Sequence, residues 1–185
     1  MSALVRRALA FAAEKHRKQL RKDADRTPYM NHVVAVAATL RHVGGVTDPE
    51  ILAAALLHDT VEDTETTPDE LERAFGPRVR ALVAELTDDK SLAKDVRKEL
   101  QVEHADGLSP EAKQLKLCDK ICNVLDVTHS PAVGWSLERR REYLDWTARV
   151  IAHCRGVNPA LEARYDQVLA AGREALDRAG EAGVG

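Results

Sequence analysis

The stretch AAALLHDTVEDTETTPDE, residues 53–70, begins as an apolar helix and ends as a cluster of acidic side chains. His58 and Asp59 stand together at the end of the apolar run, and Glu62 and Asp63 follow about one helical turn later. An imidazole beside a carboxylate offers two good ligands for a divalent metal. The stretch therefore predicts a buried helix that delivers a functional site at its carboxyl end.

Helical periodicity extends along almost the whole chain. Apolar residues such as Val79, Leu82 and Leu86 recur at the spacing of one helix face, whereas period-two alternation over a strand's length is hard to find. Thr67 and Pro68 form an N-cap followed by a proline at the first helical position, and similar pairs recur later in the chain. We therefore expect an all-α fold, a single bundle of about eight to ten helices. The predicted helices are 2–20, 29–42, 49–59, 68–75, 77–87, 92–105, 110–128, 136–154 and 159–179.

The composition is that of one globular domain. The 185 residues are 44% hydrophobic and 31% charged, and a chain of this size buries about 70% of its unfolded surface. The net charge of −3 comes from both signs spread along the sequence, so the chain is not expected to bind nucleic acid. No apolar run approaches the roughly 18 residues of a membrane span. We expect one domain over residues 1–180 and a frayed tail at 181–185.

The cysteines and the N-terminus indicate a reducing compartment. Cys118, Cys122 and Cys154 are odd in number and form no CxxC pair, which argues against a disulfide framework or a zinc knuckle. We expect them to be core residues. The N-terminal stretch has the pattern of an amphipathic helix rather than that of a signal peptide. A cytoplasmic location is the expectation.

Two further segments offer metal ligands. His32 stands near the start of an apolar helix, and Asp119 is the acid inside the apolar and basic stretch QLKLCDKICNVL. With His58 and Asp59 they would form a set of two imidazoles and two carboxylates, which suits Mn²⁺, Fe²⁺ or Zn²⁺. Simpler interpretations remain: His32 as a hydrogen-bonded core residue, and Asp119 as a helix-face acid paired with a neighbouring lysine.

The order of these motifs resembles a known family. HDTVEDT at 58–64 and KLCDKICN at 116–123 are similar to segments of the HD-domain phosphohydrolases, and specifically of the hydrolase module of the RelA/SpoT family. The small stand-alone members are the closest in pattern. The supporting segments, in the family's order, are KHRKQLRKD at 15–23, TPYMNH at 27–32, ELTDDKSLAK at 85–94 and GWSLERRREY at 134–143. The resemblance covers about residues 3–170, nearly the whole chain.

The resemblance implies a role for each matching residue. Four positions match the metal ligands, for which Mn²⁺ is usual and another divalent metal is possible: His32, His58, Asp59 and Asp119. Two match the acidic pair credited with handling the attacking water and its proton: Glu62 and Asp63. Six match substrate contacts, the first three on the nucleoside side and the others on the phosphate side: Arg21, Lys22, Asn123, Lys94, Arg139 and Tyr143. Departures such as Val33 and Cys118 remove no ligand.

The resemblance also implies an activity. It is hydrolysis of guanosine 3′,5′-bis(pyrophosphate), (p)ppGpp, with release of pyrophosphate from the 3′ position to leave GDP or GTP. The partner would be this guanosine nucleotide, with neither nucleic acid nor membrane. Two alternatives stay open: a phosphatase for another ribose-phosphorylated nucleotide such as NADPH, with its 2′-phosphate, and a non-catalytic nucleotide-binding helical module. The oligomeric state is left open as well.

The acidic pair and the basic residues follow a chemical logic. Glu62 lies four residues after His58 and Asp63 four after Asp59, so a further helical turn would return both acids to the metal side. Crowded carboxylates raise one another's pKa, which lets one of them retain a proton. Cations from other segments would offset their repulsion of a polyanionic substrate. For a further group of basic residues the pattern favours a solvated helix face: Arg17, Lys18, Arg97 and Lys98.

Overall fold

The computed structural model describes residues 1–182, which form ten α-helices and one short 3-10 helix. The α-helices are α1 (Ala3–Lys15), α2 (Met30–His42), α3 (Pro49–Leu57), α4 (Thr60–Asp63), α5 (Pro68–Phe75), α6 (Pro77–Leu86), α7 (Lys94–His104), α8 (Pro110–His129), α9 (Leu137–Ala152) and α10 (Pro159–Ala182). The 3-10 helix is Ala105–Gly107. Over residues 1–182 the only β-type pairing is an isolated antiparallel bridge between Leu20 and Pro28. The all-α prediction is confirmed.

Helices α3 and α8 form the centre of the bundle. Every side chain from Ala53 to Leu57 is buried, and α8 buries half of its twenty residues. Helices α2 and α6 each pack on both α3 and α8. Helix α1 covers α3 on one side, while α9 and α10 cover α8 on the other. Because α2 lies between the two central helices, its side chains can meet groups from both.

Polar caps and prolines start several helices where the sequence predicts. The side chain of Thr67 accepts a hydrogen bond from the backbone N–H of Glu70 at the start of α5, and Ser109 does the same for Ala112 at the start of α8. Both caps are followed by proline at the first helical position. Most predicted boundaries agree with the structure within three residues. Helix α10 includes Glu181 and Ala182, the first part of the predicted tail, and residues 183–185 lie outside the described residues.

The first helix is shorter than predicted. It ends at Lys15 rather than at residue 20, and residues 16–29 form a loop. Two cross-loop backbone bonds hold it: the N–H of Arg21 donates to Thr27 O at 2.8 Å and that of Tyr29 to Gln19 O at 3.0 Å. These tertiary pairings replace the helical ones that the local pattern favours. The loop carries basic residues of the predicted site.

The third helix also ends early. It was predicted to run to residue 59, but α3 ends at Leu57, and the short helix α4 was not predicted. The hydroxyl of Thr60 donates to the carbonyl oxygen of Leu57 at 2.6 Å, a side-chain bond that competes with the helical ladder. His58 and Asp59 therefore occupy the turn between two helices, where their side chains can point inward together.

Two other features concern the apolar character of the helices and the state of the cysteines. None of the helices within residues 1–182 combines the length and apolar character needed to cross a bilayer. The side chains of Cys118, Cys122 and Cys154 are buried, and no disulfide joins them within that range. The prediction that the cysteines are core residues is confirmed.

Candidate metal centre and active site

Separate segments bring the four predicted ligands together. His32 lies on α2 and His58 and Asp59 lie in the turn after α3, and one ligand atom from each falls within a group no more than 4.8 Å across. Asp119 approaches from α8, with its Oδ1 atom 3.2 Å from His32 Nε2 and 3.9 Å from His58 Nε2. The arrangement offers two imidazole nitrogens and two carboxylates to a single point.

His58 is oriented as a metal ligand would be. Its Nδ1 atom lies 2.8 Å from the carbonyl oxygen of Ala55, a contact in which the ring nitrogen must donate. Nε2 is then left facing the acids. It is buried and makes no hydrogen bond within the described part of the chain, although Asp59 Oδ2 is 3.0 Å away. An imidazole whose Nδ1 is held by a hydrogen bond and whose Nε2 makes none is oriented to bind a divalent metal through Nε2.

The charges of His58 and Asp59 depend on each other. Burial disfavours a charged His58, but the neighbouring Asp59 carboxylate outweighs it and raises the pKa of His58 to about 9. Burial likewise disfavours an ionised Asp59, yet His58 holds the pKa of that carboxyl well below its usual range. Without metal, the His58 imidazole therefore holds a proton that a metal must displace.

Surrounding groups hold the carboxylates in place. The Tyr29 hydroxyl donates to Asp59 Oδ2 at 2.5 Å, and the Asn123 amide donates to Asp119 Oδ1 at 2.7 Å. Lys120 Nζ lies 3.0 Å from the other oxygen of Asp119. The simpler interpretation of Asp119 is thus half right, because one oxygen pairs with a lysine while the other faces the histidines. Sequence reasoning considered Lys120 only as a partner of Asp119, and it missed Tyr29, which lies in the motif TPYMNH three residues before His32.

The two acids of the predicted pair face different surroundings. The four candidate ligands, which we call the metal group, are His32, His58, Asp59 and Asp119. Glu62 lines the cavity beside them, a space of about 180 Å³ that we call the metal cavity. Its Oε2 accepts the backbone N–H of Asp88 at 3.1 Å, and burial raises its pKa. Asp63 lines a neighbouring space instead and accepts bonds from the Gln19 amide, at 2.8 Å, and from Lys90. Only Glu62 returns to the metal side as the helical spacing predicts.

The solvated-face prediction for the basic residues holds only in part. Arg17, in the loop after α1, is exposed and pairs with Glu14 of that helix, and Lys18 is exposed too. Arg97 instead points inward, with Nη1 3.7 Å from Glu62 Oε1. The Lys98 ammonium lies 4.9 Å from the centre of the Trp146 ring rather than in open solvent. Helix α7 therefore turns these two cations towards the site, a placement that depends on tertiary packing.

The neighbouring space, which we call the basic cavity, measures about 440 Å³. Five of the six predicted substrate residues line it: Arg21, Lys22, Lys94, Asn123 and Tyr143. Tyr29 lines both cavities, as do Asn123 and Tyr143. Arg139, the sixth, lies in an adjoining space that also includes Lys94. The predicted substrate residues thus surround a region continuous with the metal group.

Asp126 lines the basic cavity and approaches His32 from that side, although it lies in none of the motifs quoted above. Its Oδ2 atom lies 2.7 Å from Arg21 Nη2 and 3.8 Å from His32 Nδ1. On α8 it stands seven residues after Asp119, on the same face of the helix. That spacing is the signal that points to it.

An aromatic row borders the basic side of the site. The ring centres of Trp135 and Tyr143 are 5.5 Å apart, and those of Tyr143 and Trp146 are 5.2 Å apart. The Arg139 guanidinium lies 4.5 Å from the centre of the Trp135 ring. Aromatic faces beside cations suit a base and its phosphates.

A family model described as HD domain matches residues 8–140. The chain therefore belongs to the HD domain family. Its relatives include guanosine-3′,5′-bis(diphosphate) 3′-pyrophosphohydrolase MESH1 of Xenopus tropicalis, 50% identical over 168 residues that cover 91% of this chain and 94% of the relative. The Homo sapiens protein of that name is 54% identical over 155 residues, 84% of this chain and 87% of the relative.

A solved structure agrees with the fold. It is described as "A metazoan ortholog of SpoT hydrolyzes ppGpp and plays a role in starvation responses". It matches with a TM-score of 0.88 at 46% identity and covers 91% of this chain and 94% of its own. The resemblance to the small stand-alone SpoT-type HD proteins is confirmed.

Proposed function

We propose that this protein is a metal-dependent (p)ppGpp 3′-pyrophosphohydrolase, with residues 1–180 acting as one HD-type domain. The observation that carries the proposal is the convergence of His32, His58, Asp59 and Asp119, with a buried, unpartnered His58 Nε2 at its centre. The names of the relatives give the substrate and the position of cleavage. Release of pyrophosphate leaves GDP from the tetraphosphate and GTP from the pentaphosphate.

The donor set supports Mn²⁺ as the bound metal, since mixed imidazole and carboxylate ligands suit this ion as they suit Fe²⁺ and Zn²⁺. When bound, such a metal supplies the charge that lowers the pKa of a water and neutralises a phosphate. Tyr29, Asn123 and Lys120 hold the two carboxylates in position for it. The buried, unpaired thiols of Cys118 and Cys122 support a reducing location, which we propose is the cytoplasm.

Glu62 and Asp63 would have different roles in the reaction. Glu62, on the wall of the metal cavity, takes the proton of the attacking water. The water oxygen bonds to the phosphorus that is attached to the 3′ oxygen. The bond from this phosphorus to the 3′ oxygen breaks, and the proton passes to the 3′ oxygen. Asp63 is held by Gln19 and Lys90 and shapes the boundary of the two cavities.

The basic cavity would hold the nucleotide. Arg21, Lys22 and Asn123 face the nucleoside side, where the tilted rings of the aromatic row offer a stacking surface. The phosphate side is formed by three further residues: Lys94, Arg139 and Tyr143. These cations offset the repulsion between the substrate and the acids of the site.

A product assay tests the proposal directly. The Mn²⁺-loaded protein is mixed with guanosine 3′,5′-bis(diphosphate), and GDP, pyrophosphate and inorganic phosphate are each quantified. We expect one pyrophosphate per GDP and no turnover once a chelator has removed the metal. Release of inorganic phosphate in place of pyrophosphate would contradict the assignment. NADPH serves as the comparison substrate, because faster release of its 2′-phosphate would identify a ribose-phosphate phosphatase instead.

A further inference from the structure

Lys116 is a buried cation without a partner. The residue is only 6% exposed, and it makes no ion pair and no hydrogen bond within residues 1–182. Lys120, one turn later on α8 and similarly buried, is paired with Asp119 at 3.0 Å. Its ammonium group opens onto the metal cavity, where a largely enclosed cation without a counter-ion is costly. A site that binds an anion next to Lys116 would offset that cost in the complex.

The position of Lys116 shows which anion would meet it. Along α8 the residues Asp126, Asn123, Asp119 and Lys116 follow one another on one face of the helix. Asp126 and Asn123 line the basic cavity, Asp119 faces the histidines, and Lys116 lines the metal cavity but not the basic cavity. The metal group thus lies between Lys116 and the space for the nucleoside.

A substrate that spans this arrangement must place its outer phosphate near Lys116. With the nucleoside in the basic cavity and the reacting phosphate at the metal group, the next phosphate of a 3′-diphosphate continues towards Lys116. Burial, followed by the like charge of Lys120, lowers the pKa of Lys116, and an adjacent phosphate would favour its charged form again. Of the two lysines that line the metal cavity, Lys116 is the one not engaged by Asp119.

We propose that Lys116 binds the distal phosphate of the 3′-diphosphate, the phosphate that becomes the outer half of the released pyrophosphate. This inference rests on the proposed function. It makes Lys116 a specificity-determining residue, since a nucleotide with a single phosphate on the ribose places no group beside it. The contact is made by the pyrophosphoryl group that is transferred to water, so it acts on diphosphate substrates and on pyrophosphate alone.

Paired substrates test this role. Mn²⁺-loaded wild type, Lys116→Met and Lys113→Met are assayed for kcat/KM on guanosine 3′,5′-bis(diphosphate) and on guanosine 5′-diphosphate 3′-monophosphate. Inhibition by inorganic pyrophosphate is measured alongside, with inorganic phosphate for comparison. Lys113 is the matched control because it lies on the same helix and lines neither cavity. Methionine keeps much of the side-chain length and removes the charge.

We expect Lys116→Met to lose about 10- to 100-fold on the diphosphate and in pyrophosphate inhibition, the range of one charge-assisted hydrogen bond. Cleavage of the monophosphate and the metal content should stay close to wild type, as should all properties of Lys113→Met. An equal loss on both substrates, or unchanged inhibition by pyrophosphate, would overturn the inference. Lys116→Gln is measured in parallel, so that a folding defect in one variant leaves the other to decide.

The result for Lys116 can be distinguished from the result of the product assay that tests the proposed function. If wild type fails to cleave the tetraphosphate, the proposed function is wrong, and calorimetric binding of pyrophosphate to the Mn²⁺-loaded protein still tests Lys116. A Lys116→Met variant that binds pyrophosphate as tightly as wild type does would then refute the subsite by itself.

Discussion

Glu62 and Asp63 are neighbours in the chain, yet their side chains have different tasks available to them. Glu62 sits against the metal cavity with a raised pKa, caused first by burial, and accepts a backbone N–H of Asp88. Asp63 is held by Gln19 and Lys90 at the edge of the basic cavity. A carboxylate engaged by an amide and an ammonium group is suited to positioning, and one with a raised pKa is suited to moving a proton.

We expect Glu62→Gln to bind metal and substrate but to lose about 10²- to 10⁴-fold in kcat, the contribution of a positioned acid or base. Glutamine keeps the side-chain volume, so the cavity should retain its shape. Metal stoichiometry and the single-turnover rate are measured on the same sample. Turnover close to wild type would remove Glu62 from the mechanism, whereas loss of the metal would make it a ligand.

His58 makes the stability of the metal-free protein depend on pH. Although burial opposes the charge, Asp59 raises the pKa of His58 from the ordinary 6.5 to about 9 in the folded chain. The folded state therefore binds this proton more tightly than the unfolded state, and the resulting stabilisation is complete below about pH 6.5 and lost as pH rises through about 9.

The melting temperature of the metal-free protein should accordingly fall between about pH 6.5 and pH 9. Thermal melts at closely spaced pH values check this, with His58→Gln as the control whose decline should be much smaller. A metal-free wild type that becomes more stable over this interval would contradict the predicted direction.

The loop between α1 and α2, residues 16–29, is the element that equips the basic cavity. Asp23 organises it by accepting the backbone N–H of Thr27 at 3.0 Å and its hydroxyl at 2.8 Å. The loop presents Gln19 to Asp63 and Arg21 to Asp126. A continued helix would point these side chains in other directions.

We expect Asp23→Ala to raise KM for the nucleotide by about tenfold, because the loop loses two hydrogen bonds that fix its basic side chains. Metal affinity should stay unchanged, since no metal-ligand candidate lies in the loop. Ser2→Ala is the control: it removes the N-cap of α1, at a cost of about 1 kcal/mol, without touching the loop. Steady-state kinetics are measured on both variants. A KM for Asp23→Ala equal to that of Ser2→Ala would show that Asp23 does not order the cavity.

The same elements show what could be predicted from the sequence. Helix positions followed from periodicity and from caps such as Thr67 and Ser109, because these signals are local. The end of α1 at Lys15 and the break after Leu57 could not be predicted, since cross-loop bonds and the Thr60 hydroxyl override local preference there.

The site followed a similar division. The four ligand candidates stand in motifs and could be named in advance. Gln19 and Lys90 reach the site through tertiary packing, which neither composition nor spacing encodes. For the same reason Arg97 and Lys98 were wrongly expected to be solvated. Asp126 could have been found from its helical spacing after Asp119.

At the scale of the whole molecule, the metal group joins parts of the chain that are far apart in sequence. His32, the His58–Asp59 turn and Asp119 lie on α2, after α3 and on α8, and α2 packs on both central helices. The unfolded chain cannot assemble these donors, so a bound metal would stabilise the folded state alone.

Removal of the metal with EDTA should therefore abolish activity and lower the melting temperature by about 5 to 10 °C, and Mn²⁺ should restore both. The estimate takes about 2.7 kcal/mol for a metal at 100 times its Kd and about 2 to 4 °C per kcal/mol for a chain of this size. His153→Gln, altered at an exposed histidine paired with Asp106, is the control that should respond as wild type does. An unchanged melting curve after verified metal removal would count against the site.

Asp126 would couple the proposed metal and nucleotide sites to each other. Its Oδ2 atom pairs with Arg21 in the basic cavity and also lies near Nδ1 of His32. Nucleotide binding and metal binding would therefore involve the same acceptor atom. Free energies around a closed cycle must balance. If an occupied nucleotide site strengthens metal binding by some factor, the metal strengthens nucleotide binding by the same factor, and a titration of either ligand in the presence of the other measures both.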